Sequence, residues 1–220
     1  MTFRFDVAWD NFGFIASGIY LTLLLSGLAL ALSLVLGACV ALLRMAPWRP
    51  VGVFAAFYVE VLRDTPVLVQ LFWVYYVLPA LLDIRLSAFA AALICLTLHS
   101  SAYLSEIYRA GIEAVPRGQV EAARVIGLRP SQTFFRIVMP QALQTVLPPM
   151  VNNFIDLIKM SSLASVLAVG EITRKATELS ASTFRPTEIF TLVAVLYFVI
   201  CWPLSMMFRT LERRRRAART

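Results

Sequence analysis

"EAARVIGLRPSQTFFRIVMP" occupies residues 121–140 and carries three arginines, one glycine and two prolines. It interrupts a 220-residue chain that is 60% hydrophobic, with a mean hydropathy of +0.76. A connection between two helices needs only a few residues, so a polar twenty-residue insert points to a structure of its own. Val120, Ala123 and Ile126 recur at helical spacing, with Glu121 and Arg124 off that face. Gly127 suits the left-handed position that closes a helix. Pro130 suits the first turn of the next helix, and Pro140 is expected to break the chain before the apolar stretch that follows. The stretch predicts two short helices with a sharp turn between them.

Outward from it, five apolar segments stand out: about Phe12–Leu43, Val53–Leu82, Leu86–Ile107, Ala142–Ile158 and Ile189–Phe208. Runs of about 20 apolar residues cross a hydrocarbon layer of about 30 Å, and an open strand in lipid would leave backbone groups unpaired. The fold class is therefore all-α, a polytopic membrane protein with five transmembrane helices, read as one domain over residues 1–220. Residues Met1–Asn11 lack the basic region of a cleavable signal peptide. Within the second segment, "EVLRDTP" (60–66) places charges that are costly at mid-membrane. Pro66 suits the start of a new helix, so a short helix, a break and then the true span from about Pro66 to Leu82 are expected. Gly27, Ala31 and Ser33 allow close helix contact. Cys39, Cys95 and Cys201 all lie in apolar segments, fit no metal spacing and are read as small buried packing residues.

The formal net charge of +7 is a topology signal rather than a nucleic-acid footprint. Arg213–Arg216 follow directly on the last apolar segment, and Arg109, Arg117, Arg124, Arg129 and Arg136 lie between the third and fourth. Arg4, Arg85, Arg174, Lys175 and Arg185 fall on the opposite side. The positive-inside rule then places the N-terminus outside and the C-terminus in the cytoplasm, with the basic tail against anionic lipid. The segment at about 115–140 becomes a cytoplasmic knob.

The order Glu121-Ala122-Ala123, three residues, Gly127, nine residues, Ile137, two residues, Pro140 resembles the EAA motif of the membrane subunits of ATP-binding-cassette importers. Met139 stands where that family usually has leucine. The flanks "AYLSEIYRAGIEAVPRGQVEAARVIGL" (102–128), "MPQALQTVLPP" (139–149), "KMSSLASVL" (159–167) and "LRDTPVLVQLFWVYYVLP" (62–79) are similar to the polar amino acid permeases of the histidine, glutamine and glutamate uptake class. The resemblance covers about residues 15–212. It implies a type I importer permease of a bacterial inner membrane. The short helix would dock on a cytoplasmic ATPase through Glu121, Ala122, Ala123 and Gly127, with Pro140 closing the motif. The implied partners are two ATPase subunits, a second identical or related permease and an extracytoplasmic solute-binding protein. No cofactor is expected on this chain, and ATP and Mg belong to the ATPase.

The residues themselves agree that this chain is not the ATPase. A P-loop needs Gly-Lys-Ser/Thr, and the two lysines, Lys159 and Lys175, follow Ile158 and Arg174. Intramembrane polar residues are the candidates for a substrate pathway. His99, Ser101 and Glu106 form one group, with Ser100 and Tyr103. Asn152, Asp156 and Lys159 share a helical face, and Asp156 with Lys159 can pair at i, i+3. Ser161 and Ser162 open the segment "SLASVLAVGEITRKATEL", which would form an outer gate. Related permeases tend to have glycine or serine where this chain has Asp64. The rival from another class is an ion-gradient-driven secondary transporter, against which the absence of an inverted repeat and of a dense acidic ion site counts. A membrane enzyme lacks any nucleophile-base or metal set in this sequence.

Overall fold

A computed structural model describes residues 5–217, with side chains described as far as Phe208. The arginine cluster at Arg213–Arg216 lies outside the described side chains, and Arg4 outside the described residues. Twelve α-helices follow in order: α1 (Phe5–Asp10), α2 (Phe12–Ala16), α3 (Gly18–Arg44), α4 (Arg49–Asp64), α5 (Val67–Phe72), α6 (Leu78–Leu82), α7 (Ala88–Glu113), α8 (Arg117–Val125), α9 (Pro130–Thr133), α10 (Met139–Met160), α11 (Ile172–Thr183) and α12 (Pro186–Ala217). There is no strand among the described residues.

Three helical stretches are long and apolar enough to cross a membrane: Phe12–Arg44, Ala88–Glu113 and Pro186–Phe208. The bent pair Arg49–Asp64 and Val67–Leu82 makes a fourth if counted as one span. Of the five expected spans, these three and the bent pair are apolar enough by length and composition among the described residues. The remaining one is α10. Its 22 residues are long enough at about 1.5 Å each, but Asn152, Asn153, Asp156 and Lys159 make it too polar to count. Such a face needs protein or water against it rather than lipid.

The break in the second span is where the charges place it. Thr65 (φ −105°, ψ 142°) and Pro66 (φ −62°, ψ 132°) are extended, because a proline drives the residue before it out of the helical region. The two arms diverge by 107°. Gln70 holds the corner, its Nε2 lying 2.8 Å from the Leu62 carbonyl and 2.7 Å from Thr65 Oγ1. The arm before the break is longer than expected, running 16 residues.

Pro140 does not break the chain. A π turn, Phe134–Val138, joins α9 to α10 without interruption, and Met139 N–H donates to the Phe134 carbonyl five residues back. The wider turn accommodates a residue that has no N–H and would crowd an α-helical carbonyl. The same device recurs at Trp73–Val77, where Leu78 donates to Trp73 just ahead of Pro79.

The core is built in patches between helices. Leu25 and Ala29 of α3 meet Ala91, Cys95 and Leu96 of α7 and Leu157 of α10. Ile15, Ile172, Ala176 and Ile189 tie α2, α11 and α12 together. Ser100 links three helices, lying 3.1 Å from Ser33 Oγ and 2.6 Å from Asn153 Oδ1. Gly37, rather than Gly27, makes the close helix approach: a Cβ on Gly37 would stand 2.8 Å from Leu104 Cβ, whereas nothing lies within 4 Å of one on Gly27. Cys95 and Cys201 are buried as expected, but Cys39 is exposed on the outer side of α3.

Candidate functional site: the α8 docking segment and the polar face of α10

α8 starts at Arg117 behind Pro116 and ends at Val125. Gly127 has φ +81°. Leu128 N–H donates to the Ala123 carbonyl and Gly127 N–H to that of Arg124, both at 3.0 Å, the paired bonds of a Schellman turn. Arg129 N–H then donates to Gln132 Oε1 at 2.9 Å, and Pro130 opens α9. The local structure follows from the glycine and the proline, as the sequence leads one to expect.

Which face is offered outward differs from expectation. Ala123 is buried, and Val120 packs on Val115, Val138 and Ala142. Ile126 does not join them. The helix has ended before it, and Ile126 and Val125 are 74% and 87% exposed. Glu121, Ala122 and Gly127 are exposed as well. Glu121 is the fifth residue of α8, not a first-turn residue, so the helix dipole does little for it. A cleft between the end of α7 and α8 is lined by Ile112, Glu113, Val115, Arg117, Glu121 and Arg124. The segment is pinned from above by Gln141 of α10, whose amide donates to Gln119 Oε1 and, at 2.9 Å, to the Ile137 carbonyl.

The pathway candidates scatter. Asn152, Asp156 and Lys159 are exposed on one face of α10, and Lys159 Nζ reaches Asp156 Oδ1 at 3.1 Å. The pair is not buried within this chain, so little stability rests on it. Ser101 is buried, its Oγ 2.7 Å from Tyr58 Oη across α4 and α7. His99 is 4% exposed, with its ring centroid 4.9 Å from that of Tyr103. The ring lies against the Leu62 carbonyl without completing a hydrogen bond. Glu106 stands apart from Ser101 and His99, beside Arg44 and Arg109, on the stretch of α7 that runs on to Glu113. Ser161 is buried and Ser162 half-buried. They donate to the Ile158 and Lys159 carbonyls, both at 2.7 Å, at the head of the 3-10 helix Ser161–Leu167.

Sequence reasoning missed Glu171. It is fully buried, and its Oε1 accepts from Arg174 N–H at 2.7 Å, while its Oε2 accepts from Thr173 N–H at 2.9 Å and from Tyr197 O–H at 3.0 Å. Burial pushes its pKa up, against the pull of these donors. One carboxylate therefore caps α11 and ties it to α12. The neighbouring Ile172 N–H donates to Thr22 Oγ1 of α3 at 3.3 Å.

Comparison with known proteins places these elements. Residues 33–217 match the family model described as binding-protein-dependent transport system inner membrane component. The probable glutamine ABC transporter permease protein GlnM of Bacillus subtilis is 39% identical over 209 residues, covering 95% of this chain and 96% of GlnM. The L-cystine transport system permease protein TcyB of the same organism is 41% identical over 201 residues, covering 91% of this chain and 86% of TcyB. A chain from the crystal structure of an amino acid ABC transporter with histidines superposes with a TM-score of 0.92 at 36% identity, covering 97% of this chain and all (100%) of that one. The MetNI methionine ABC transporter in an inward-facing form shares the fold, with a TM-score of 0.78 at 18% identity, covering 93% of this chain and 97% of that one. None of these is an ion-gradient-driven carrier. A chain without a strand among its described residues, carrying an exposed Gly127 turn and matched over 91–97% of its length by these permeases, belongs to the family of binding-protein-dependent transport system inner membrane components, and is a multi-pass permease of an ABC importer.

Proposed function

We propose that the chain forms the translocation pathway of an ATP-driven importer for polar amino acids. Two ATPase subunits, a second copy or close relative of this permease and an extracytoplasmic solute-binding protein complete it, with ATP and Mg held by the ATPases. The observation that carries the reading is the exposed face of α8, Glu121, Ala122 and the Gly127 turn, in a chain whose relatives are named for glutamine and cystine. ATP-driven closure of the ATPases would push on α8, and α7 and α10, joined through Ser100 and Asn153, would carry the movement upward. The polar face of α10 supports a water-lined path or a contact with the second permease. Gentle purification of the complex, with identification of its subunits and uptake of a panel of radiolabelled polar amino acids into vesicles, tests this. An ion gradient sufficing in place of ATP would overturn it.

Orientation follows from the basic loops. A reporter fused after Thr220 should read cytoplasmic and one inserted at Asp83, in the exposed left-handed turn after α6, extracytoplasmic. A C-terminal reporter reading outside would invert the scheme.

The two polar residues of α10 should fail differently. Asn153 hydrogen bonds Ser100 between helices, and losing a partly buried hydrogen bond costs about 1 kcal/mol. Asn153→Ala should therefore lower the amount of assembled subunit. Asp156→Ala, on the exposed face, should leave the amount unchanged and lower transport. Immunoblots beside uptake measurements check this, and normal uptake by Asp156→Ala would remove that face from the pathway.

A further inference from the structure

On the reading that α8 docks the ATPase, we propose that Arg44 is a positioning residue for transport: it fastens the inner end of α3, through a row of four alternating charges, to the end of α7 that borders the docking cleft. Arg44 is the last residue of α3, and its guanidinium pairs with Glu106 of α7. Arg109 donates to Glu106 Oε2 at 2.8 Å and grips both carboxylate oxygens of Glu113, at 2.8 and 2.7 Å. The spacings i, i+3 and i, i+4 stack these three on one face of α7. Glu113 rims the cleft that Glu121 and Arg124 of α8 also line. The row thus runs plus, minus, plus, minus from α3 to the rim of that cleft.

Burial grades along it. Arg44 and Glu106 are 18% and 21% exposed, Arg109 33% and Glu113 57%. The α3 end is the sheltered one, where screening by salt is least. Two turns above Arg44, Gly37 lets α3 sit directly on Ser101 and Leu104 of α7. With both points held, α3 must travel with α7. With the ion pair gone, the side-chain hydrogen bonds left between the two helices, Ser100 to Ser33 and Tyr108 Oη to the Leu34 carbonyl, lie farther up α3, and its last turn loses its polar tie to α7. Partly exposed ion pairs add little to stability, so the loss should appear in coupling before it appears in folding.

The test uses the whole transporter in vesicles, with its own ATPase and the amino acid that the unmodified complex accumulates from a radiolabelled panel. Arg44→Gln and Glu106→Gln should keep the ATPase bound and hydrolysis running, while uptake per ATP falls several-fold; Arg44→Lys, which keeps the charge, should retain most of it. Unchanged uptake per ATP in Arg44→Gln would overturn the proposal. So would a parallel fall of uptake and hydrolysis with subunit amount, which marks a merely structural pair. Loss of the ATPase from the complex would overturn it too, by making Arg44 part of the docking surface. Failure of the docking reading itself shows elsewhere, as full coupling in a Gly127→Val variant.

Discussion

Replacing Gly127 by valine should leave the chain inserted but loosen its hold on the ATPase. At φ +81° a β-branched residue is strained by about 1–2 kcal/mol, roughly a tenfold loss in occupancy of the native turn. Nothing lies within 4 Å of a Cβ there, so the penalty is in the backbone and not in a clash. Gly127→Asn, which tolerates the left-handed region, should therefore be mild. Glu121→Lys should resemble Gly127→Val for another reason: it adds a positive charge to the exposed surface beside Arg117 and Arg124. Pull-down of the ATPase, hydrolysis and uptake, measured together in vesicles, give the answer. Full binding and full coupling in both variants would mean that α8 is not the coupling element.

Glu171→Ala should be the most damaging single change outside α8. It strips the cap from α11 and leaves two backbone N–H groups without their acceptor, while the Tyr197 hydroxyl keeps only Thr173 Oγ1, at 3.3 Å. Each unsatisfied buried donor costs about 1–3 kcal/mol, so a loss of about 3 kcal/mol is expected. Subunit amount and thermal melting in detergent should both fall. Glu171→Gln should do less harm, since one amide oxygen still accepts, although the –NH2 now faces a donor. A Glu171→Ala protein that melts like the parent would show that the carboxylate is not what joins α11 to α12.

The parts legible in the sequence were those where one residue dictates its own backbone. Gly127 and Pro130 announce the turn between α8 and α9, and Thr65-Pro66 the corner between α4 and α5, because few other conformations suit them. Hydropathy found the apolar helices but not their polar ends: α7 continues past Ile107 to Glu113. Toward that extension Glu106 forms an ion pair with a residue 62 positions earlier, which no local pattern announces. Glu171 stayed hidden for the same reason. Its burial depends on Tyr197 and on the packing of α2, α11 and α12, and no local pattern reports that. Pro140 misled because a proline is a helix breaker only while the helix insists on bonds four residues back.

The π turn before Pro140 also changes how faces should be counted. One residue more in a turn means that a helical wheel drawn straight from Pro130 to Met160 drifts by about 100° at Met139, the angle between neighbours in an α-helix. Residues 130–133 and 139–160 need separate wheels, as do 67–72 and 78–82 across the other π turn. In alignments of such permeases, a single-residue gap just ahead of Pro140 would be a change of winding: it removes the bulge, rotates everything upstream, and swings the docking segment around the axis of α10 while every downstream residue keeps its face.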